Sequence, residues 1–176
     1  WKFCGAEVIV STSDVTTEEG CEELLNAAVS LGPLGGIFNL AVVLRDGIFQ
    51  NLEVKSFNES LAPKALATLN LDKISRMLCK NLQHFVVFSS VSCGIGNAGQ
   101  SNYGFANSVM ERIIEKRHEA GLSGKAIQWG AIGDVGLLAD FQLANMNKDI
   151  GGTLPQALSS CLEVLDDLLT SNYPIV

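Results

Sequence analysis

His84-Phe85-Val86-Val87-Phe88-Ser89-Ser90, followed after a glycine-bearing loop by Gly99-Gln100-Ser101-Asn102-Tyr103-Gly104-Phe105-Ala106-Asn107, is the stretch from which the architecture can be read. An apolar, β-branched run without polar alternation marks a strand buried on both faces, as in a parallel sheet. Ser90 then falls at its carboxyl end, where open α/β sheets place their ligands. From Ser101 to Ala120 the spacing predicts a helix, closed by Gly121, with Tyr103 and Asn107 four apart on one face and looking toward one pocket. Phe105, Val109 and Ile113 are expected to form the apolar stripe that packs on the sheet. A hydroxyl at a strand end and a phenol on the next helix converge on one point. That arrangement is suited to protonating a carbonyl oxygen.

The same alternation repeats on either side. Ala6 to Ser11 reads as a short strand, and Thr16-Thr17-Glu18-Glu19 offers an N-cap and acids for a helix running to about Ser30. Gly32-Pro33 stops that helix, Gly36-Ile37-Phe38-Asn39-Leu40-Ala41 reads as a strand, and a helix is expected from about Ser56 to Cys79, begun or kinked by Pro63. Lys125 to Ile132 supplies a further strand, then a glycine-bearing loop and a helix from about Leu154 to Thr170. Strand-helix repetition predicts an α/β fold, a Rossmann-like doubly wound parallel sheet, with residues 1–176 in one domain. A G-x-G-x-x-G turn for a dinucleotide pyrophosphate is missing. Gly94-Ile95-Gly96-Asn97-Ala98-Gly99 follows the Ser90 strand and reads as an active-site loop instead. The sheet is therefore expected to be N-terminally truncated, without its first strand, glycine-rich turn, first helix and second strand. The absent initiator Met agrees with a fragment.

Composition narrows the function classes. Twelve scattered basic residues against nineteen acidic ones, a net charge of -7, argue against a nucleic-acid partner. The longest apolar stretch, Gly35 to Leu44, is about half of the ~20 residues that span a bilayer. Trp1-Lys2-Phe3-Cys4 carries no secretory signal, and five cysteines without C-x-x-C spacing predict neither disulfides nor a zinc site. A reducing, cytoplasmic setting is expected. His84 and His118 lie far apart, so no metal site is predicted, and Cys93 is given no role.

Four segments carry a resemblance: Gly35 to Gly47, Pro63-Lys64, Phe88 to Asn107, and Trp129-Gly130-Ala131-Ile132-Gly133-Asp134-Val135-Gly136. Together they resemble the ketoreductase domain of the animal multifunctional fatty acid synthase, within the short-chain dehydrogenase/reductase superfamily, to which polyketide synthase ketoreductases are related. Ordinary members of that superfamily carry Lys four residues after the tyrosine. Here that position is Asn107, and Lys64 matches the lysine that synthase ketoreductases supply from the preceding helix. The resemblance implies NADPH-dependent reduction of a 3-ketoacyl thioester, held on the phosphopantetheine of an acyl carrier domain, with other synthase domains as partners. It implies that Ser90 binds the ketone oxygen, Tyr103 donates the proton, Lys64 tunes the phenol, and Asn107 holds Lys64 or a relay water. Asp14 and Val15 match the adenine side of the cofactor site, Asn39, Leu40 and Ala41 the ribose, and Trp129, Gly130, Ala131, Ile132 and Gly133 the nicotinamide. Asp46 aligns with an aspartate that marks the substrate face in polyketide relatives. Taken singly, Asp14 also reads as a turn residue, Lys64 as a solvated lysine, Asn107 as a polar helix residue and Trp129 as a strand end. A non-catalytic structural fragment of a synthase is the alternative reading.

Overall fold

The computed structural model of the protein describes residues 2–134 and 154–176. Its regular elements are α1 (Glu18–Ser30), β1 (Gly36–Asn39), α2 (Val54–Leu61), a π-helical turn (Ala62–Leu66), α3 (Ala67–Leu78), β2 (His84–Ser90), α4 (Ser92–Ile95), α5 (Ser101–Glu119), β3 (Lys125–Trp129) and α6 (Leu158–Thr170). The apolar run predicted as a strand is β2, the middle of a parallel sheet of order β1-β2-β3. Gly36 lies opposite His84 on one side and Ser90 opposite Trp129 on the other. Phe85, Val87 and Ala126 turn to one face, where they meet Cys21 and Leu25 of α1, Leu71 and Ile74 of α3, and Met110 and Ile114 of α5. Ile127 and Trp129 turn the other way and line a cavity of about 570 Å³ with Val164 and Leu168 of α6. Helices thus cover both faces, and the predicted α/β class holds.

Local chemistry sets the boundaries. Thr17 caps α1, its Oγ1 accepting from the Gly20 amide at 3.1 Å, with Glu18 and Glu19 in the first turn. Gly20 is required there, because a Cβ would fall 2.2 Å from the Asp14 carbonyl oxygen. Asn39 ends β1 two residues before the expected Ala41: its Oδ1 accepts from the Ala41 amide at 3.0 Å and turns the chain out of the sheet. β3 stops at Trp129 rather than Ile132, which makes only an isolated bridge to Gln156. α6 begins at Leu158, not Leu154, because Pro155 holds Leu154 outside helical geometry. Val135, Gly136 and most of the expected glycine-bearing loop lie outside the described residues.

Two expectations are corrected. Ala6 to Ser11 forms no strand and stands exposed, Val10 at 84%. A strand exists through ladder bonds to a neighbour, and among the described residues none pairs with this run. On α5, Ala106, Met110 and Ile114 form the packing row and Ile113 is buried as expected, whereas Phe105 is 50% exposed and meets Phe57 of α2 at 5.8 Å. The buried side of α5 also carries Asn102, Asn107, Glu111 and Arg117, polar groups that apolar periodicity overlooks.

One element was not anticipated. Beside β3, the Ala126 and Gln128 amides donate to the carbonyls of Pro174 and Val176 at 2.8 and 2.7 Å, and the Val176 amide returns to Ala126 at 3.0 Å. This short extended segment, centred on a parallel bridge between Ala126 and Ile175, covers the outer edge of β3. Buried Lys125 donates to the Ser171 and Tyr173 carbonyls on the same segment.

Candidate active site

Ser90 stands at the carboxyl end of β2, nearly buried. Its Oγ accepts from the Ser92 amide at 3.2 Å and the Ser92 hydroxyl at 3.0 Å, so its own proton is left to be donated outward. Two residues earlier, the Phe88 carbonyl accepts from Lys64 Nζ at 2.9 Å. Lys64 also lies 5.2 Å from the centroid of the Tyr103 ring. Lysine and tyrosine therefore come together as expected, and Lys64, only 3% exposed, is not a solvated surface residue. Burial pushes its ammonium down from 10.5 to about 8.

The π-helical turn explains how Lys64 reaches this position. In an α-helix the Ala67 amide would bond to the Pro63 carbonyl; here it reaches Ala62 and Lys64 instead. The Pro63 carbonyl accepts from Asn39 Nδ2 at 3.2 Å, and the same amide group donates to Thr68 Oγ1 at 3.0 Å. Asn39 is thus committed within the protein at both ends of its side chain. Leu40 and Ala41, which follow it, are exposed.

Asn107 is 0% exposed, and its Nδ2 donates to the Tyr103 carbonyl at 3.0 Å, within the helix rather than into an open pocket beside the phenol. Its Oδ1 is buried without a hydrogen-bond partner among the described residues, as is Nε1 of Trp129. Trp129 meets the Phe88 ring in a tilted contact with centroids 6.3 Å apart, and the loop after it is held by Gly133 to Gln156 and Gln156 to Ala131 backbone bonds of 2.9 and 2.7 Å. Asp14 is exposed, and its carboxylate is held below the usual range by the Thr16 hydroxyl and amide, at 2.7 and 2.9 Å. Val15 packs against the core, and its carbonyl accepts from Asn70 at 3.3 Å. These two residues stand ahead of α1, apart from the lysine and tyrosine.

Asp46 is strapped to the turn that precedes Tyr103. Gln100 Nε2 donates to its carboxylate at 3.1 Å, the Gly47 amide to the Gly99 carbonyl at 2.8 Å, and Asn102 Nδ2 to the Arg45 carbonyl at 2.8 Å. Gln100 and Asn102 carry the strap and were not singled out in the sequence. The run of amide side chains Asn97, Gln100 and Asn102 across the start of a helix was the signal that could have found them. Cys93 accordingly has a structural place, hydrogen-bonded to Ser108 and Glu111, and burial pushes its thiol up, away from reactivity.

A serine at the end of the central parallel strand, a lysine anchored to that strand two residues earlier, and a tyrosine ring beside the lysine define a Rossmann-like α/β protein of the short-chain dehydrogenase/reductase type. Residues 1–134 match the family model described as KR domain, and the chain belongs to that family. It is 37% identical over 135 residues to the reducing polyketide synthase AFT16-1 of Alternaria alternata, a match covering 76% of this chain and 6% of that protein. It is 32% identical over 170 residues to the highly reducing polyketide synthase frbB of Dothideomycetidae sp. (strain 11243), covering 95% of this chain and 6% of that one. Among solved structures, an A-type ketoreductase from a modular polyketide synthase matches with a TM-score of 0.87 at 25% identity, over 99% of this chain and 36% of that one. The chain thus spans a small part of these relatives. They carry polyketide synthase names, the related group of the sequence reading, in place of the fatty acid synthase.

Proposed function

We propose that this chain is the catalytic segment of a β-ketoacyl reductase within a cytoplasmic multidomain synthase. It reduces a 3-ketoacyl thioester on an acyl carrier domain to the 3-hydroxyacyl thioester with NADPH. The observation that carries the reading is buried Lys64, 5.2 Å from the Tyr103 ring and anchored to the carbonyl of Phe88 on the strand that ends in Ser90. An ammonium taken out of water at that place serves the phenol beside it.

The residues present fit the nicotinamide end of the cofactor. Leu40 and Ala41 follow β1, and Trp129 ends β3 with Gly130 to Gly133 following it, so the two segments flank the Ser90 strand. The buried, partnerless Trp129 Nε1 and Asn107 Oδ1 are polar atoms that a ligand or ordered water would satisfy. Held there, NADPH would supply the hydride that the carbonyl carbon receives. Ser90 and Tyr103 hold the ketone oxygen with their hydroxyl protons, and Tyr103 gives up its proton as negative charge grows there. Lys64 stabilises the phenolate left behind, and Asn107 Oδ1 receives the relay water that restores the proton. Asp14 and Val15 take the adenine side, and Asp46, held by Gln100, guides the acyl chain to one face.

NADPH consumption with a 3-ketoacyl thioester tests this, measured on the chain as given and on the same chain preceded by a strand, a G-x-G-x-x-G turn and a helix. Turnover confined to the extended form supports the assignment. Turnover in neither would favour the structural-fragment reading. The motif resemblance supports a fatty acid synthase and the named relatives support a polyketide synthase. Comparing an unbranched with a 2-methyl 3-ketoacyl thioester separates the two, since acceptance of the branch favours the polyketide case.

A further inference from the structure

Glu111 is a carboxyl group in the interior that the chemistry above does not use. It is 4% exposed on α5, two turns beyond Tyr103 and one beyond Asn107. Its Oε1 accepts from Ser89 Oγ at 2.6 Å and from Gln128 Nε2 at 2.8 Å, and its Oε2 accepts from Cys93 Sγ at 3.2 Å. Those donors belong to β2, β3 and α4, three separate elements. Ser89 directly precedes Ser90, Gln128 directly precedes Trp129, and Cys93 directly follows Ser92, which bonds to Ser90. Every donor is therefore next in sequence to a residue of the site or of its immediate support.

Burying a carboxyl group costs free energy unless its oxygens are supplied with donors. Here the donors come from both strands and from the short helix after Ser90, so the satisfied geometry exists only when α5 sits at one rotation and one height on the sheet. A one-residue slip of α5 would carry Glu111 about 1.5 Å along and 100° around the axis, away from all three donors. Tyr103 would move with it. Apolar packing through Ala106, Met110 and Ile114 tolerates small sliding, whereas hydrogen bonds weaken steeply with distance and angle.

We infer that Glu111 is a positioning residue for ketone reduction, locking α5 in the register that holds Tyr103 against Lys64. The inference rests on the reductase reading for its kinetic consequence and on geometry alone for its structural one. Both are tested in one series, in a Tyr173→Phe background. Tyr173 is exposed and meets Lys125 only through its main chain, and replacing it leaves Tyr103 as the single tyrosine. With 3-fluorotyrosine incorporated, the one fluorine resonance reports Tyr103 whether or not the chain turns over.

Glu111→Leu is expected to move that resonance and to lower kcat roughly tenfold to a hundredfold with little change in KM, as misplacement of a reacting group does. Glu111→Gln keeps a carbonyl acceptor for Ser89 and Gln128, and both readouts should return toward the parent values. Should Glu111→Leu fail to fold, Ser89→Ala removes a single donor and should shift the resonance in the same sense. A Tyr103 resonance unmoved in the folded Leu variant, or in Ser89→Ala where that variant replaces it, would overturn the inference. So would a Gln variant as perturbed as the Leu one. A parent that never reduces the ketone would sink the reductase reading while the fluorine shifts still decide the role of Glu111.

Discussion

Lys64 shows what a single residue gives up in stability for chemistry. The unfolded chain holds its proton to about 10.5 and the folded chain only to about 8, a difference of roughly 3 kcal/mol against the buried ammonium. Because the unfolded state binds the proton more tightly, stability rises with pH between those two values; below about 8 the cost is present in full. Lys64→Met is therefore expected to raise the urea midpoint at pH 7 while removing reduction, and its advantage should shrink as pH climbs from about 8 toward 10.5. Urea titrations at pH 7 and pH 10 check this, and equal differences at both would show that burial does not strain the amine. Keto reduction should fall on the alkaline side as pH passes about 8, where the cation is lost. Tyr103→Phe removes the proposed proton donor and keeps the ring beside Lys64. Its turnover should drop by about 10²–10⁴ with NADPH affinity unchanged, measured by single-turnover kinetics and cofactor titration.

At the level of elements, the π-helical turn and the end of β1 form one device. The turn frees the Pro63 carbonyl from the Ala67 amide, and Asn39 supplies a donor for it from a neighbouring element. Asn39→Ala leaves Pro63 and Thr68 without that partner at a buried site, a loss of about 1–3 kcal/mol. Lys64 should loosen with the turn, so kcat is expected to fall along with the thermal midpoint; a variant that melts early yet turns over normally would uncouple the two. The turn itself was only half visible in the sequence. Pro63 announced a disturbance in a long helix, but a kink and an inserted residue look alike until a partner such as Asn39 is placed. β2 and α5 were legible because a buried parallel strand and a long helix leave strong local patterns. Which side of α5 turns inward was read only in part: Ile113 is buried as expected, but Phe105 is exposed and Glu111 is buried by hydrogen bonding, which an argument from apolar periodicity does not weigh. Ala6 to Ser11 failed for the opposite reason: its β propensity is real, but a strand needs a neighbour that no local pattern guarantees.

In the whole molecule the sheet is held together by its last residues as well as by its core. Pro174, Ile175 and Val176 give β3 a parallel neighbour through three backbone hydrogen bonds, and Ile175 packs against the cluster that contains Phe85, Met110 and Ile114. This segment is too short for periodicity to reveal, and its pairing depends on Ala126, nearly fifty residues earlier. Lys125 is tied to the same closure. Its Nζ is buried and donates to Ser171 and Tyr173, and burial lowers its pKa. Removing residues 173–176 would strip the three ladder bonds and one of the lysine's acceptors, and leave the β3 edge open to other chains. At roughly 1 kcal/mol per net hydrogen bond the loss is roughly 3 kcal/mol before the packing of Ile175 is counted. That is a large share of the stability of an ordinary domain. The shortened chain should melt well below the parent and scatter light on standing, whereas Tyr173→Phe, which keeps every backbone group, should do neither. Ser90 lies opposite Trp129, at the other end of β3 from Lys125, so residual folded material should keep the Lys64 and Tyr103 geometry. Activity per folded molecule is then expected to survive the truncation while total activity falls, and a matched loss of both would mean that the closing strand reaches the site.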